Sequence, residues 1–205
     1  MATTLYLVRH AQANPLRAVP EPEWELSERG QAQAAGLVPV LTALGIEAVY
    51  SSPFRRSIDT LRPFTTAREL PLQVRDGLRE RCLSRDWIAD LRDVWQRSWA
   101  DLSYALEGGE SGLVCRSRMA GAVRAIAEDN PEGTVALGSH GYAIALLLTT
   151  LDPSFGVREA SALRTPEIVR LRWDKNVLTW DREFEPGAEF DALATDFRLT
   201  PGIVA

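Results

Sequence analysis

The 205-residue chain has two cysteines, two histidines, two methionines and, among its 23 basic residues, the single lysine Lys175. Cys82 and Cys115 stand far apart with no CxxC partner, which argues against a disulfide framework or a metal knot and points to a reducing compartment, read as cytoplasmic. Long apolar runs are missing too. The stretch Ala143 to Leu148 is far below the roughly 20 residues that span a bilayer, and the short run before Arg9 is too brief for a signal peptide. Net charge is −5 with a pI near 5.2, so there is no basic face to release counterions from nucleic acid, and neither nucleic acid nor a membrane is expected as a partner. With 45% apolar and 25% charged residues, the composition is that of one soluble globular domain over 1–205. That length suffices to bury about 70% of its extended-chain surface.

The pattern along the chain alternates between strand and helix signals. Thr3 to Val8 reads as a strand entering a loop with Pro15, Pro20 and Pro22, and Ser27 caps a helix from Glu28 to Leu44 that Gly45 stops. Ala48 to Ser51 and Leu72 to Arg75 read as strands around a helix opened by Ser52-Pro53 and running to about Ala67. From Gly77 to Gly109 the pattern breaks into charges and tryptophans, and the segment at about 81–106 is expected to be a small, largely helical cap. Ser111 starts a helix to Asp129. Thr134 to Gly138 is a buried strand running into Ser139-His140-Gly141, with a helix from about Tyr142. Ile168 to Trp173 and Val177 to Trp180 form a hairpin, and a loose tail is expected from Pro186-Gly187. The predicted fold is a three-layer α/β/α sandwich with a mostly parallel central sheet.

His10 and His140 each follow directly on a predicted strand, where open α/β sheets gather their ligand-binding loops. Arg9 beside His10 disfavours the cationic ring and leaves a neutral nucleophile near pH 7. A phosphoryl group suits that pair: the guanidinium neutralises its oxygens while the ring nitrogen attacks phosphorus. Ser139-His140-Gly141 adds a second imidazole and backbone N–H groups at a helix start, suited to an anion.

The segments LVRHAQANP, LSERGQAQA, YSSPFRRSIDT, LRERC, GGES and LGSHG resemble, in order, the signature segments of the histidine phosphatase superfamily, the phosphoglycerate-mutase-like proteins. They run from Leu7 to Gly141. The resemblance implies that His10 is the nucleophile that becomes phosphohistidine, that Arg9, Arg56 and His140 form the phosphate pocket, and that Asn14 and Gly141 are further contacts. Arg56 is preferred over Arg55, which is read as solvated or structural. Glu80 in LRERC matches the family's proton donor, a role that needs a carboxyl of raised pKa. Glu110-Ser111 fits the pattern equally well as a helix start, and Gly30 is read as a close-packing position. Ala11 departs from the glycine the family commonly has there.

The reaction so implied is metal-independent hydrolysis of a phosphomonoester, without a cofactor and with a small phosphorylated molecule as substrate. Mutase-type phosphoryl transfer and a silent phosphate-binding module are the alternatives. In the cap, Arg81, Arg85, Trp87 and Trp95 are either ligand contacts or packing. Neither the physiological substrate nor the oligomeric state is legible.

Overall fold

The computed structural model describes residues 2–84, 86 and 88–196. A six-stranded sheet is built from β1 (Thr3–Arg9), β2 (Ala48–Ser51), β3 (Leu72–Val74), β4 (Thr134–Ser139), β5 (Glu167–Asp174) and β6 (Val177–Asp181), in the order β3-β2-β4-β1-β5-β6. The first four in that order are parallel, and β5 and β6 complete the sheet as an antiparallel hairpin. Register puts Arg9 opposite Ser139, so the chain leaves the central strands β1 and β4 side by side at one end of the sheet.

Successive side chains of a strand face opposite ways, and β1 shows the result. Leu5 and Leu7 join a core beneath α4 (Gly112–Asp129) and α5 (Gly141–Leu151), whereas Tyr6 and Val8 join the core beneath α1 (Glu28–Ala43) and α2 (Arg55–Arg68). Both faces are therefore covered, which gives the expected three layers. Ser27 caps α1 by accepting from the Gly30 amide, and Ser111 caps α4 by accepting from the Val114 amide.

Three segments differ from the sequence reading. The charged and tryptophan-rich stretch contributes one helix, α3 (Leu91–Ala100), and the other described residues between 81 and 106 are not helical. The segment 153–166 holds an extra short helix, α6 (Val157–Ala162), too brief to leave a periodic signal. The expected loose tail instead forms α7 (Ala188–Leu193), with Phe190 fully buried and Thr195 paired to Thr165. Leu193 lies where a Cβ on Gly36 would meet it at 2.5 Å, so α7 rests on the bare backbone of α1. Residues 197–205 of that tail, and Arg85 and Trp87 of the cap, lie outside the described residues.

Candidate active site

All four parallel strands deliver a charged or titratable side chain to the same end of the sheet. β1 ends in Arg9 and His10, β2 leads through Ser52 to Arg56 at the start of α2, the turn after β3 leads to Glu80, and β4 leads to His140. The two imidazoles, 130 positions apart in sequence, have ring centroids 5.2 Å apart.

His10 Nδ1 lies 2.7 Å from the Ala11 carbonyl, which can only accept. This fixes the proton on Nδ1 and leaves the Nε2 lone pair as the reactive position. The Arg56 Nε–H donates to that Nε2 at 3.2 Å. Burial first, and then the positive charges of Arg56 and Arg9, hold His10 well below the usual imidazole value, so the ring is neutral at pH 7. Ala11 is itself fully buried, and its amide donates to Thr60 Oγ1 of α2, so the methyl group there is packed rather than set into the site.

Arg9 and Arg56 are both buried. Arg9 donates from Nη1 to the carbonyls of Leu163 and Arg164, in the segment that leads into β5, which fixes the guanidinium. A Cβ on Gly141 would fall 2.8 Å from its Cζ, so glycine there lets the guanidinium lie flat on the start of α5. Burial draws the Arg9 pKa down to about 10, which still leaves it charged at neutral pH. Arg56 is aimed by three groups the sequence did not single out: the ring of Phe54 at 4.9 Å, the ring of Trp24 at 5.6 Å, and Glu21.

His140 has no exposed surface. Its Nε2 is 2.7 Å from Ser52 Oγ, which also accepts from the Phe54 amide, and its Nδ1 has no hydrogen-bond partner among the described residues. The Ser52 hydroxyl keeps both its proton and a second lone pair for this contact, so it serves either tautomer of the His140 ring. Burial, then Arg56, His10 and Arg9, keep this ring neutral as well.

Glu80 is held by backbone donors. Its Oε1 accepts from the amides of Arg81 and Ala143, both at 2.9 Å, and its Oε2 accepts from Tyr142 at 3.2 Å. The N–H groups at the head of α5, expected from the sequence to face a bound anion, are thus spent in part on the protein's own carboxylate. Burial raises the Glu80 pKa despite the donors that lower it, and the carboxylate of Glu21 adds to the rise through space.

The remaining expectations divide. Asn14 is exposed on the loop after β1, tied to the Glu25 carbonyl through its own amide, and no hydrogen bond among the described residues joins its side chain to the site. Arg55 is half-exposed and pairs with Glu25, as a solvated neighbour would. Gly30 is a packing position, because a Cβ there would meet the Gln12 carbonyl at 2.0 Å.

Glu110 does more than precede a helix: it accepts from both Arg79 and Arg118, and Arg118 in turn grips the carbonyls of Gly77 and Arg79. That cluster clamps the segment carrying Glu80. Arg81 belongs to the same framework, since its guanidinium is buried on the Glu110 and Tyr104 carbonyls and the Tyr142 hydroxyl. Trp95 packs against Tyr142 with centroids 4.6 Å apart and also meets Trp99. Both side chains pack around Tyr142. Among the described residues no group of three or more His, Cys, Asp or Glu side chains is placed to hold a metal ion, and no helix is long and apolar enough to cross a membrane.

Comparison with known proteins agrees with this architecture. A solved structure titled mycobacterial hydrolase 1 superposes with a TM-score of 0.74 at 23% identity, covering 92% of this chain and all of that one. A mycobacterial glucosyl-3-phosphoglycerate phosphatase bound to inorganic phosphate gives 0.71 at 22% identity, covering 91% of this chain and 98% of that one. YhfR of Bacillus stearothermophilus gives 0.71 at 22% identity, covering 92% and 99%. None of the curated proteins compared with the chain matches it. The family model described as histidine phosphatase superfamily (branch 1) matches residues 5–183, a span that contains Arg9, His10, Arg56, Glu80 and His140, and the chain belongs to that superfamily.

Proposed function

We propose that the chain is a phosphatase that hydrolyses phosphomonoesters through a phosphohistidine on His10. The observation that carries the reading is the Ala11 carbonyl on His10 Nδ1, which leaves a neutral Nε2 lone pair directed at the buried Arg56 Nε–H. A phosphoryl group set between them meets a nucleophile and a cation at once.

In the first step His10 Nε2 forms a bond to phosphorus as the ester P–O bond breaks. Glu80 donates a proton to the departing alkoxide, and its raised pKa favours the protonated form this requires. Arg9, Arg56 and the His140 ring take up the charge on the equatorial oxygens. In the second step Glu80, now a carboxylate, accepts a proton from water as the water oxygen bonds to phosphorus and the N–P bond breaks, releasing inorganic phosphate and restoring neutral His10. The charge stabilisation is supplied by side chains of the chain itself, so the scheme runs without a metal ion or cofactor.

Two solved structures with this fold have titles naming phosphatases of small esters, the glucosyl-3-phosphoglycerate enzyme and a phosphoserine phosphatase of Entamoeba histolytica at 16% identity and a TM-score of 0.69. They support a small phosphorylated substrate as the class. The stereochemical course at phosphorus tests the scheme. Two in-line displacements retain configuration in a chiral thiophosphate ester, whereas direct attack by water inverts it and would overturn the covalent step.

A further inference from the structure

The loop between β1 and α1 carries an acid that the scheme above does not use. Glu21 opens a 3-10 turn (Glu21–Glu23), and its Oε1 accepts from Arg56 Nη2 at 2.7 Å while its backbone carbonyl accepts from Arg56 Nη1 at 2.9 Å. The guanidinium is a planar fork with five N–H groups. Its outer edge is taken by Glu21, and its Nε edge faces His10 Nε2 at 3.2 Å. The Glu21 carboxylate is therefore fixed one guanidinium width from the point where a phosphoryl group would be attacked. The turn is itself pinned: the Trp24 indole N–H donates to the carbonyls of Leu16 and Val19, and the Trp24 ring lies against Arg56.

This placement loads the mouth of the site with negative charge. Arg56 is shared between Glu21 and the phosphoryl oxygens, which leaves it little positive charge for a third anion. The Glu21 charge also reaches Glu80 through space and adds to the rise in its pKa. The neighbouring cations have their own partners. Arg79, which lines a cleft together with Phe54, pairs with Glu110 and Asp76, and Arg55 pairs with Glu25 and Asp59.

Building on the phosphatase reading, we propose that Glu21 is a specificity-determining residue that turns the site away from phosphomonoesters whose leaving group carries a carboxylate and toward those whose leaving group is neutral. An uncharged hydroxyl placed beside Glu21 meets a hydrogen-bond acceptor; a carboxylate in the same position meets a like charge that Arg56 and solvent offset only in part.

The test compares kcat/KM for glycerol 3-phosphate and 3-phosphoglycerate, which share a phosphorylated carbon skeleton and differ in hydroxyl against carboxylate. It uses the full-length wild type, Glu21→Gln, and Glu23→Gln as a control in the same exposed turn, with p-nitrophenyl phosphate as a common reference. Glu21→Gln keeps an oxygen for Arg56 and removes only the charge. The wild type is expected to favour glycerol 3-phosphate by about tenfold, the scale of one like-charge repulsion across several ångströms at a part-exposed site. Glu21→Gln should cut that preference at least fivefold, chiefly through a lower KM for 3-phosphoglycerate, and Glu23→Gln should leave it in place. A wild-type ratio near one, an unchanged ratio in Glu21→Gln, or an equal shift in Glu23→Gln overturns the assignment. Failure of the folded wild type to hydrolyse any of the three esters instead overturns the phosphatase reading, and this inference with it.

Discussion

The Arg56 Nε–H donates to Nε2 of His10 at 3.2 Å, although the two residues lie 46 positions apart and neither has the other as its main anchor. His10 is oriented by the next carbonyl along its own chain, and Arg56 by Phe54, Trp24 and Glu21. Two independently fixed groups thus converge on one point, a preorganised arrangement for stabilising charge that develops there.

Removing that convergence should be costly to catalysis. Arg56→Ala is expected to lower kcat/KM for p-nitrophenyl phosphate by about 10²–10³, on the order of 3–4 kcal/mol, the loss seen when one preorganised donor to a developing oxyanion is deleted. A change within twofold would exclude Arg56 from contact with the phosphoryl group.

Glu80→Gln separates the acid role from simple positioning. A good leaving group needs little protonation, so the loss should be about tenfold or less for p-nitrophenyl phosphate and about 10²–10⁴ for an alkyl phosphate. Wild-type turnover of the alkyl ester is expected to fall as pH rises through the elevated Glu80 pKa, and the variant should lose that dependence. Equal losses for both esters would remove Glu80 from proton transfer.

Both histidines are held neutral in the folded state, below their ordinary value of 6.5. Above 6.5 both rings are uncharged in folded and unfolded chains alike. As pH falls below 6.5 the unfolded chain takes up protons that the folded one refuses, so stability drops by up to about 1.4 kcal/mol per pH unit for each ring. Glu80 acts in the opposite sense: its folded pKa is raised, so the folded chain binds its proton first and gains stability as pH falls through that value. Urea midpoints of the wild type should therefore decline from pH 7.5 to 5.5, and His10→Gln/His140→Gln should flatten the decline. An identical slope in the double variant would contradict the neutral-ring assignment.

Glu110→Ala leaves Arg79 and Arg118 without their shared carboxylate. Because this pair of bridges is mostly buried, the expected loss is on the order of 3 kcal/mol of folding stability, visible as a lowered thermal midpoint. The same midpoint in wild type and variant would show that the cluster does not clamp the Glu80 segment.

Much of this was legible in the sequence because it rests on local signals. Short apolar runs marked the strands, Ser27 and Ser111 marked helix starts, and the motif residues fell just after strand ends, where the parallel sheet brought Arg9, His10, Arg56, Glu80 and His140 together. Glu21 and Ser52 escaped notice because their partners, Arg56 and His140, are distant in sequence, and Phe54 because a ring two residues before an arginine carries no signal of stacking on it. Nothing in the irregular loop after β1 indicates that Trp24 will fold Glu21 onto a guanidinium 35 positions away. Arg81 stayed open between ligand contact and packing because an arginine in a charged segment is normally exposed, and its burial depends on carbonyls from two other loops and a tyrosine of α5. The α7 helix was missed because its anchor is a single phenylalanine, too little for a periodic pattern.

The covalent role of His10 is tested most directly by rapid-quench labelling with a phosphorylated substrate carrying radioactive phosphorus, followed by acid and base treatment of the protein. The account predicts an acid-labile, base-stable adduct that forms at a rate no slower than turnover and is absent from His10→Ala. Full turnover in His10→Ala, or an adduct that survives acid, would contradict it.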